Sequence, residues 1–156
     1  MKSSRRRNVA QPVMTGYWDT SALVPLCCFQ SQSTKARQAS RIYSRQVVWW
    51  ATSVEAISAF NRLVRDGDLT QHEGQQALVR LDHLRARWNE VQPTEDVRHR
   101  AERAVASHRL RAADALQLAA ALVWCSNRPR GHAFVAADGA LSNAAEAEGF
   151  SVIRVL

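Results

Sequence analysis

The sequence predicts an α/β fold, a three-layer α/β/α sandwich with a central parallel sheet. Short apolar runs alternate along the chain with longer segments in which apolar residues recur every three or four positions. This alternation of strands and helices is typical of a parallel sheet whose crossover helices cover both faces. Right-handed crossovers between the parallel strands would make this a compact three-layer domain.

The strands are predicted from apolar runs that a polar or turn residue follows. The first run ends at Asp19-Thr20-Ser21, and the run QVVWWA ends before a helix start. A run that ends at Asp138 and a last run near the carboxyl terminus complete the set, with a short strand at Val91. The predicted strands are 13–18, 46–51, a short one at 91, 133–137 and 151–155.

The helices are predicted from capping residues and from apolar spacing. Glycines end two of them, Thr70 and Thr94 are candidate caps, and one helix carries a stripe formed by Val54, Ile57, Phe60 and Val64. The predicted helices begin after Asp19, within 33–45, at Thr52, at Thr70, at Thr94, at Ala112 and after Asp138. The segment 112–124 is apolar almost all round, except at Asp114 and Gln117, which predicts a buried helix.

The charge of the chain is concentrated at its start. Of the 21 Lys and Arg residues, four lie within the first 13 residues, which contain no Asp or Glu. The rest of the chain has 17 Lys and Arg residues and 14 Asp and Glu residues. We therefore predict a basic, disordered leader at 1–13 and one domain at 14–156. The overall excess of +7 favours a polyanionic partner such as nucleic acid.

Several classes of protein are excluded by the residues present. No Lys follows Lys35, which argues against a P-loop and a Schiff-base enzyme, and no zinc-protease motif HExxH occurs. The three cysteines lie in apolar stretches and are predicted to be buried free thiols in a reducing cytoplasm. No apolar run is long enough to span a membrane, so no membrane partner is expected.

Four acids are predicted to meet at one edge of the sheet. Asp19 and Asp138 each end an apolar strand, Glu55 lies in the first helical turn after another, and Asp114 lies in the first turn of the apolar helix. In an open parallel sheet, ligands bind in the crevice outside the carboxyl ends of the strands. Each acid also has a simpler explanation, as an N-cap, as part of the capping-box spacing Thr52-x-x-Glu55, or as a complement to the helix dipole.

Converging carboxylates repel one another in a site of low dielectric constant, and a divalent cation removes that conflict. An all-oxygen site suits Mg²⁺ or Mn²⁺ better than zinc, and such ions support phosphodiester hydrolysis. Thr20 and Ser21 are placed to support the metal site or a phosphate oxygen, and helix capping explains them equally well.

Four stretches, in this order, resemble the PIN-domain family, and within it the toxin ribonucleases of the VapC type. They are YWDTSAL at 17–23, TSVE at 52–55 with Arg62 following, AADALQLA at 112–119 and FVAADGAL at 134–141. The resemblance covers about residues 14–156. It identifies Asp19, Glu55, Asp114 and Asp138 as the acidic metal-site quartet, with Asp19 and Asp114 as the most direct ligands. Gln117 stands where many relatives carry His, and we expect this difference to be tolerated.

The resemblance implies a metal-dependent endoribonuclease, the toxin of a type II toxin–antitoxin module, with Mg²⁺ or Mn²⁺ as cofactor. It also implies a homodimer, neutralised by a small cognate antitoxin and reaching operator DNA only through that antitoxin. Arg62, Arg109 and Arg111 are candidates for holding RNA phosphates, although a solvated surface explains the last two equally well. The alternative is a PIN-like DNA-binding or regulatory subunit with little nuclease activity.

Overall fold

The structure is a computed structural model that describes residues 12–137 and 139–156. Most of the predicted leader, 1–11, and the predicted site residue Asp138 lie outside the described residues. The domain division at residue 13 therefore stays a prediction. None of the helices in the described ranges is a candidate for spanning a membrane.

Five strands form one sheet in the order β3-β2-β1-β4-β5, and every neighbouring pair is parallel. The predicted parallel α/β class is confirmed. The strands are β1 (Thr15–Trp18), β2 (Arg45–Trp49), β3 (Asn89–Val91), β4 (Ala133–Ala136) and β5 (Ser151–Arg154). Along the chain, β2 and β3 are added on one side of β1, and β4 and β5 are added on its other side. The strand order therefore reverses between β1 and β4. This reversal is a topological switch point, where α/β sheets form their ligand crevice.

Helices cover both faces of this sheet. The helices are α1 (Thr20–Cys27), α2 (Ser33–Ile42), α3 (Thr52–Arg65), α4 (Gln71–Arg85), α5 (Glu95–Ser107), α6 (Ala112–Trp124) and α7 (Ala140–Glu148). One core cluster joins α1 to α4 with one face of the sheet, and a second joins α5 to α7 with the other. Neighbouring residues of a strand enter opposite clusters, as Tyr17 and Trp18 do, because side chains alternate across a sheet.

The helix caps agree with the sequence in most places. Thr70 and Thr94 accept hydrogen bonds from the backbone N–H groups three residues later, as predicted. Gly149 ends α7 in the left-handed region at φ 111°, which an L side chain rarely adopts. All three cysteines are buried and free, as predicted.

The apolar stripe predicted for α3 is wrong in part. Phe60 is buried, but Val54 is 66% and Ile57 38% exposed. The buried face carries the small residues Thr52, Ser53 and Ala56 instead. α3 contacts α1, and Glu55 on α3 lies within hydrogen-bond distance of Thr20, two residues after the end of β1.

Candidate active site

Asp19 directly follows β1 and is buried. Its backbone N–H donates to the carbonyl of Val135 at 2.9 Å, which ties the end of β1 to β4. Its side chain is the N-cap of α1, since Oδ2 accepts from the backbone N–H of Ser21 at 3.1 Å. The capping explanation for Asp19 therefore holds, and the same residue also lies in the crevice at the switch point.

Ser21 connects Asp19 to the chain that leaves β4. Its hydroxyl donates to Asp19 Oδ2 and accepts from the backbone N–H of Ala137 at 3.0 Å. The residue that follows Ala137 is Asp138, the fourth predicted acid, which lies outside the described residues. Ser21 thus fixes both the carboxylate at the end of β1 and the backbone at the end of β4.

Glu55 lies in the first turn of α3 and is held from the side of α1. Its Oε2 atom accepts from the hydroxyl of Thr20 at 2.9 Å. The capping-box explanation is wrong, because Ala51 is the N-cap residue and makes no side-chain cap bond. Thr52 is buried instead, so Glu55 is free to turn towards the crevice.

Gln117, on α6, is hydrogen-bonded to residues of β1, α1 and α3. It was not predicted as a site residue. Its side chain is fully buried. Its amide accepts from Tyr17 and donates towards Thr20 and Glu55. One signal in the sequence points to it, because Gln117 is one of only two polar residues in an otherwise apolar helix. It also lies three residues after the other, Asp114, which places both on one face of the helix.

Asp114, in the first turn of α6, lies close enough to Asp19 and Glu55 for its charge to act on both. All three acids line one cavity of about 690 Å³, together with Thr20 and Ser21. A smaller hollow of about 140 Å³ is lined by Asp19, Ser21 and Asp114 and extends towards the start of α7. The structure therefore brings together all the predicted acids within the described residues.

The predicted phosphate-binding arginines are separated by the structure. Arg62 lines the large cleft from the side of α3. Arg109 and Arg111 are exposed and precede α6 without lining that cleft. Burial raises the pKa of Asp114, and the charge of Arg111 is near enough to oppose part of that rise. The lining of this cleft also includes apolar residues and neutral polar residues: Val24, Val54, Ala59 and Leu63, with Gln30, Gln32 and Ser58.

The cleft disfavours negative charge. Burial is the main cause that raises the pKa of Asp19, of Glu55 and of Asp114. The charge of Asp114 raises the pKa of Asp19 and of Glu55 further, and hydrogen bonds from Ser21, Thr20 and Gln117 oppose the shifts. Three partly desolvated carboxylates that repel one another are the arrangement that a bound cation stabilises.

The donor atoms fit a hard divalent cation in their chemistry. Asp19, Glu55 and Asp114 supply carboxylate oxygens, and no His or Cys of the described ranges lines the cleft. Among the described residues, no group of three or more His, Cys, Asp or Glu could by itself hold a metal ion. Mg²⁺ commonly binds through one or two carboxylates, water and substrate phosphate, and does not need a closed protein cage.

Comparisons with known proteins bear on the family and the fold of this chain. A family model described as the PIN domain matches residues 17–147. The fold is similar to the crystal structure of PAE2754 from Pyrobaculum aerophilum, with a TM-score of 0.58 and 18% sequence identity. The alignment covers 99% of this chain and 93% of that chain, and at this identity it shows the fold alone. No curated protein sequence matches the chain.

Proposed function

Because this chain belongs to the PIN domain family, whose members are generally metal-dependent nucleases, we propose that it is a Mg²⁺- or Mn²⁺-dependent endoribonuclease. The observation that carries the proposal is the convergence of Asp19, Glu55 and Asp114 on one cleft at the switch point of the sheet. The choice of RNA as substrate rests on the sequence resemblance to VapC-type toxins.

Each acid has a proposed part in holding the cation. Asp19 and Asp114 would be the most direct ligands, with Glu55 and Asp138 completing the acidic set. A divalent cation, when bound, supplies charge neutralisation at the phosphodiester and activates water for hydrolysis. Burial of the three described carboxylates makes this neutralisation stronger than it would be in bulk water.

The chain's own residues would position the substrate and the water. Glu55 Oε2 is occupied by hydrogen bonds from Thr20 and Gln117. Within the described ranges no hydrogen bond reaches Oε1, which leaves that atom to orient a water or to accept its proton. Arg62, on the wall of the same cleft, would hold a phosphate of the RNA backbone.

Metal-dependent cleavage of RNA is the direct test. Purified protein is incubated with end-labelled single-stranded RNA, or with DNA of the same sequence, in Mg²⁺, in Mn²⁺ and in EDTA. We expect discrete cleavage of the RNA in the presence of either cation and none in EDTA. Cleavage that persists in EDTA, or intact RNA with folded protein and both cations, would contradict the proposal.

The biological role proposed is that of a toxin in a type II module. We expect a homodimer that a small cognate antitoxin neutralises and that contacts operator DNA only through the antitoxin. Induced expression should arrest growth with discrete RNA fragments, and co-expression of a short neighbouring reading frame should relieve the arrest. Operator binding without growth arrest or RNA cleavage would instead favour the regulatory subunit.

A further inference from the structure

A buried amide lies beneath the candidate active site. The side chain of Gln117 is fully buried, and apart from Asp114 the other residues of α6 are apolar. An amide removed from water without hydrogen-bond partners destabilises a folded protein. In this molecule both ends of the amide have partners, and two of those partners, Thr20 and Glu55, line the cleft.

Tyr17 sets the orientation of this amide. Its hydroxyl donates to Gln117 Oε1 at 2.6 Å. The Tyr17 ring is itself fixed by two aromatic neighbours. It stacks on Phe134 with ring centroids 5.2 Å apart, and the centroid of the Trp124 ring lies 6.4 Å away. Burial raises the pKa of Tyr17 well above its usual value, so the hydroxyl remains a donor. The amide nitrogen must then point the other way, towards the cleft.

The amide nitrogen meets the residues that hold Glu55. Gln117 Nε2 lies 3.1 Å from Thr20 Oγ1 and 3.3 Å from Glu55 Oε2. Thr52 Oγ1 is 3.4 Å away on the same side. Thr20 in turn donates its hydroxyl proton to Glu55 Oε2, so the donors run in one direction from Tyr17 through Gln117 to the carboxylate.

We propose that Gln117, oriented by Tyr17, is a positioning residue that fixes Oε2 of Glu55 and so presents Oε1 to a divalent cation and its water in the cleft. This inference rests on the proposed function, because it assigns Glu55 to the metal site. Gln117 itself neither binds the cation nor touches the substrate. It acts through Thr20 and Glu55, as partners of metal ligands commonly do.

The test compares Mn²⁺ affinity among folded variants. Gln117→Met keeps the length of the side chain and removes both hydrogen-bonding ends. Tyr17→Phe removes only the hydroxyl that orients the amide, and Gln38→Met on the exposed face of α2 is the matched control. Electron paramagnetic resonance of free Mn²⁺ gives each dissociation constant, and circular dichroism confirms that each variant is folded.

We expect Gln117→Met to weaken Mn²⁺ binding by about tenfold, in the range found for partners of metal ligands. Tyr17→Phe should weaken it by a smaller factor, and Gln38→Met should leave it unchanged. The double variant should bind no more weakly than Gln117→Met alone, because both changes break the same chain of donors. Single-turnover RNA cleavage should follow the same order.

Two results would overturn the positioning role while leaving the nuclease proposal intact. One is Mn²⁺ affinity equal to that of the parent in folded Gln117→Met, and the other is full additivity of the two changes. If Gln117→Met does not fold, parental affinity in Tyr17→Phe would overturn it. Failure of the parent protein to bind Mn²⁺ at all would instead overturn the proposed function, and this inference with it.

Discussion

The hydroxyl of Thr20 donates a hydrogen bond of 2.9 Å to Oε2 of Glu55 and thereby joins the first turn of α1 to the first turn of α3. The two residues are 35 positions apart in the chain. This bond sets the side chain of Glu55 relative to Asp19, which immediately precedes Thr20. The geometry of the acidic cleft therefore depends on a neutral hydroxyl as well as on the acids.

Replacing Thr20 by Val should lower RNA cleavage by about tenfold, because a hydrogen bond to a charged group contributes about 1.5 kcal/mol. Valine keeps the shape of the side chain, and Thr20→Ser, which keeps the hydroxyl, is the control. Single-turnover cleavage at saturating Mn²⁺ gives the comparison. Equal rates for Thr20→Val and Thr20→Ser would show that the hydroxyl does not position Glu55.

The stability of the metal-free protein should depend on the acidic cleft in a pH-specific way. Because burial raises the pKa of Asp19 in the folded state, the folded protein keeps that proton at pH values where the unfolded chain, with an ordinary pKa of about 4, has lost it. The free energy of unfolding contributed by Asp19 is fully present below about pH 4 and falls as the pH rises through the folded pKa.

Asp19→Asn should remove this loss. In urea unfolding with EDTA, the variant should gain stability relative to the parent as the pH rises above about 4. Asp82→Asn, on the exposed surface of α4, controls for the loss of one negative charge. A stability difference between Asp19→Asn and the parent that does not change with pH would contradict the electrostatic account of the cleft.

The contact between α3 and α4 gives a test of packing away from the cleft. Alanine normally stabilises a helix interior relative to glycine by about 0.5–1 kcal/mol. At Gly74, however, an added Cβ would lie 2.8 Å from Cγ2 of Val64. Gly74→Ala should therefore lower the free energy of unfolding by about 1 kcal/mol in urea titrations.

The effect of Gly74→Ala on the free energy of unfolding should change sign once the side chain of Val64 is shortened. In a Val64→Ala background, Gly74→Ala should raise the free energy of unfolding, because only the helix preference remains. Destabilisation of equal size in both backgrounds would rule out the Val64 contact as the cause.

The architecture could be predicted from the sequence because its signals are local. An apolar run that ends at Asp19, and the helix that follows, are visible in consecutive residues, as are the caps Thr70 and Thr94. The edge of the sheet at which the acids meet follows from the parallel topology alone. These features need no knowledge of how side chains from distant segments meet.

The side-chain network of the site depends on distant contacts and was only partly predictable. Thr52-x-x-Glu55 has the spacing of a capping box, yet Thr52 is buried and receives the amide of Gln117 from 65 positions away. The partnership of Tyr17 and Gln117 spans 100 positions. Spacing along one helix indicates which residues share a face, but it does not show which partner lies opposite.

We propose Asp19 and Asp114 as the centre of a metal-dependent ribonuclease, and RNA cleavage by their amide variants decides whether they are. Single-turnover cleavage of end-labelled RNA is measured for the parent, Asp19→Asn, Asp114→Asn and the surface control Asp82→Asn, all in saturating Mn²⁺. We predict a loss of at least about 100-fold for each cleft variant, as for removal of a principal electrostatic group, and no loss for the control. Parental rates in folded Asp19→Asn and Asp114→Asn would contradict the assignment of the active site.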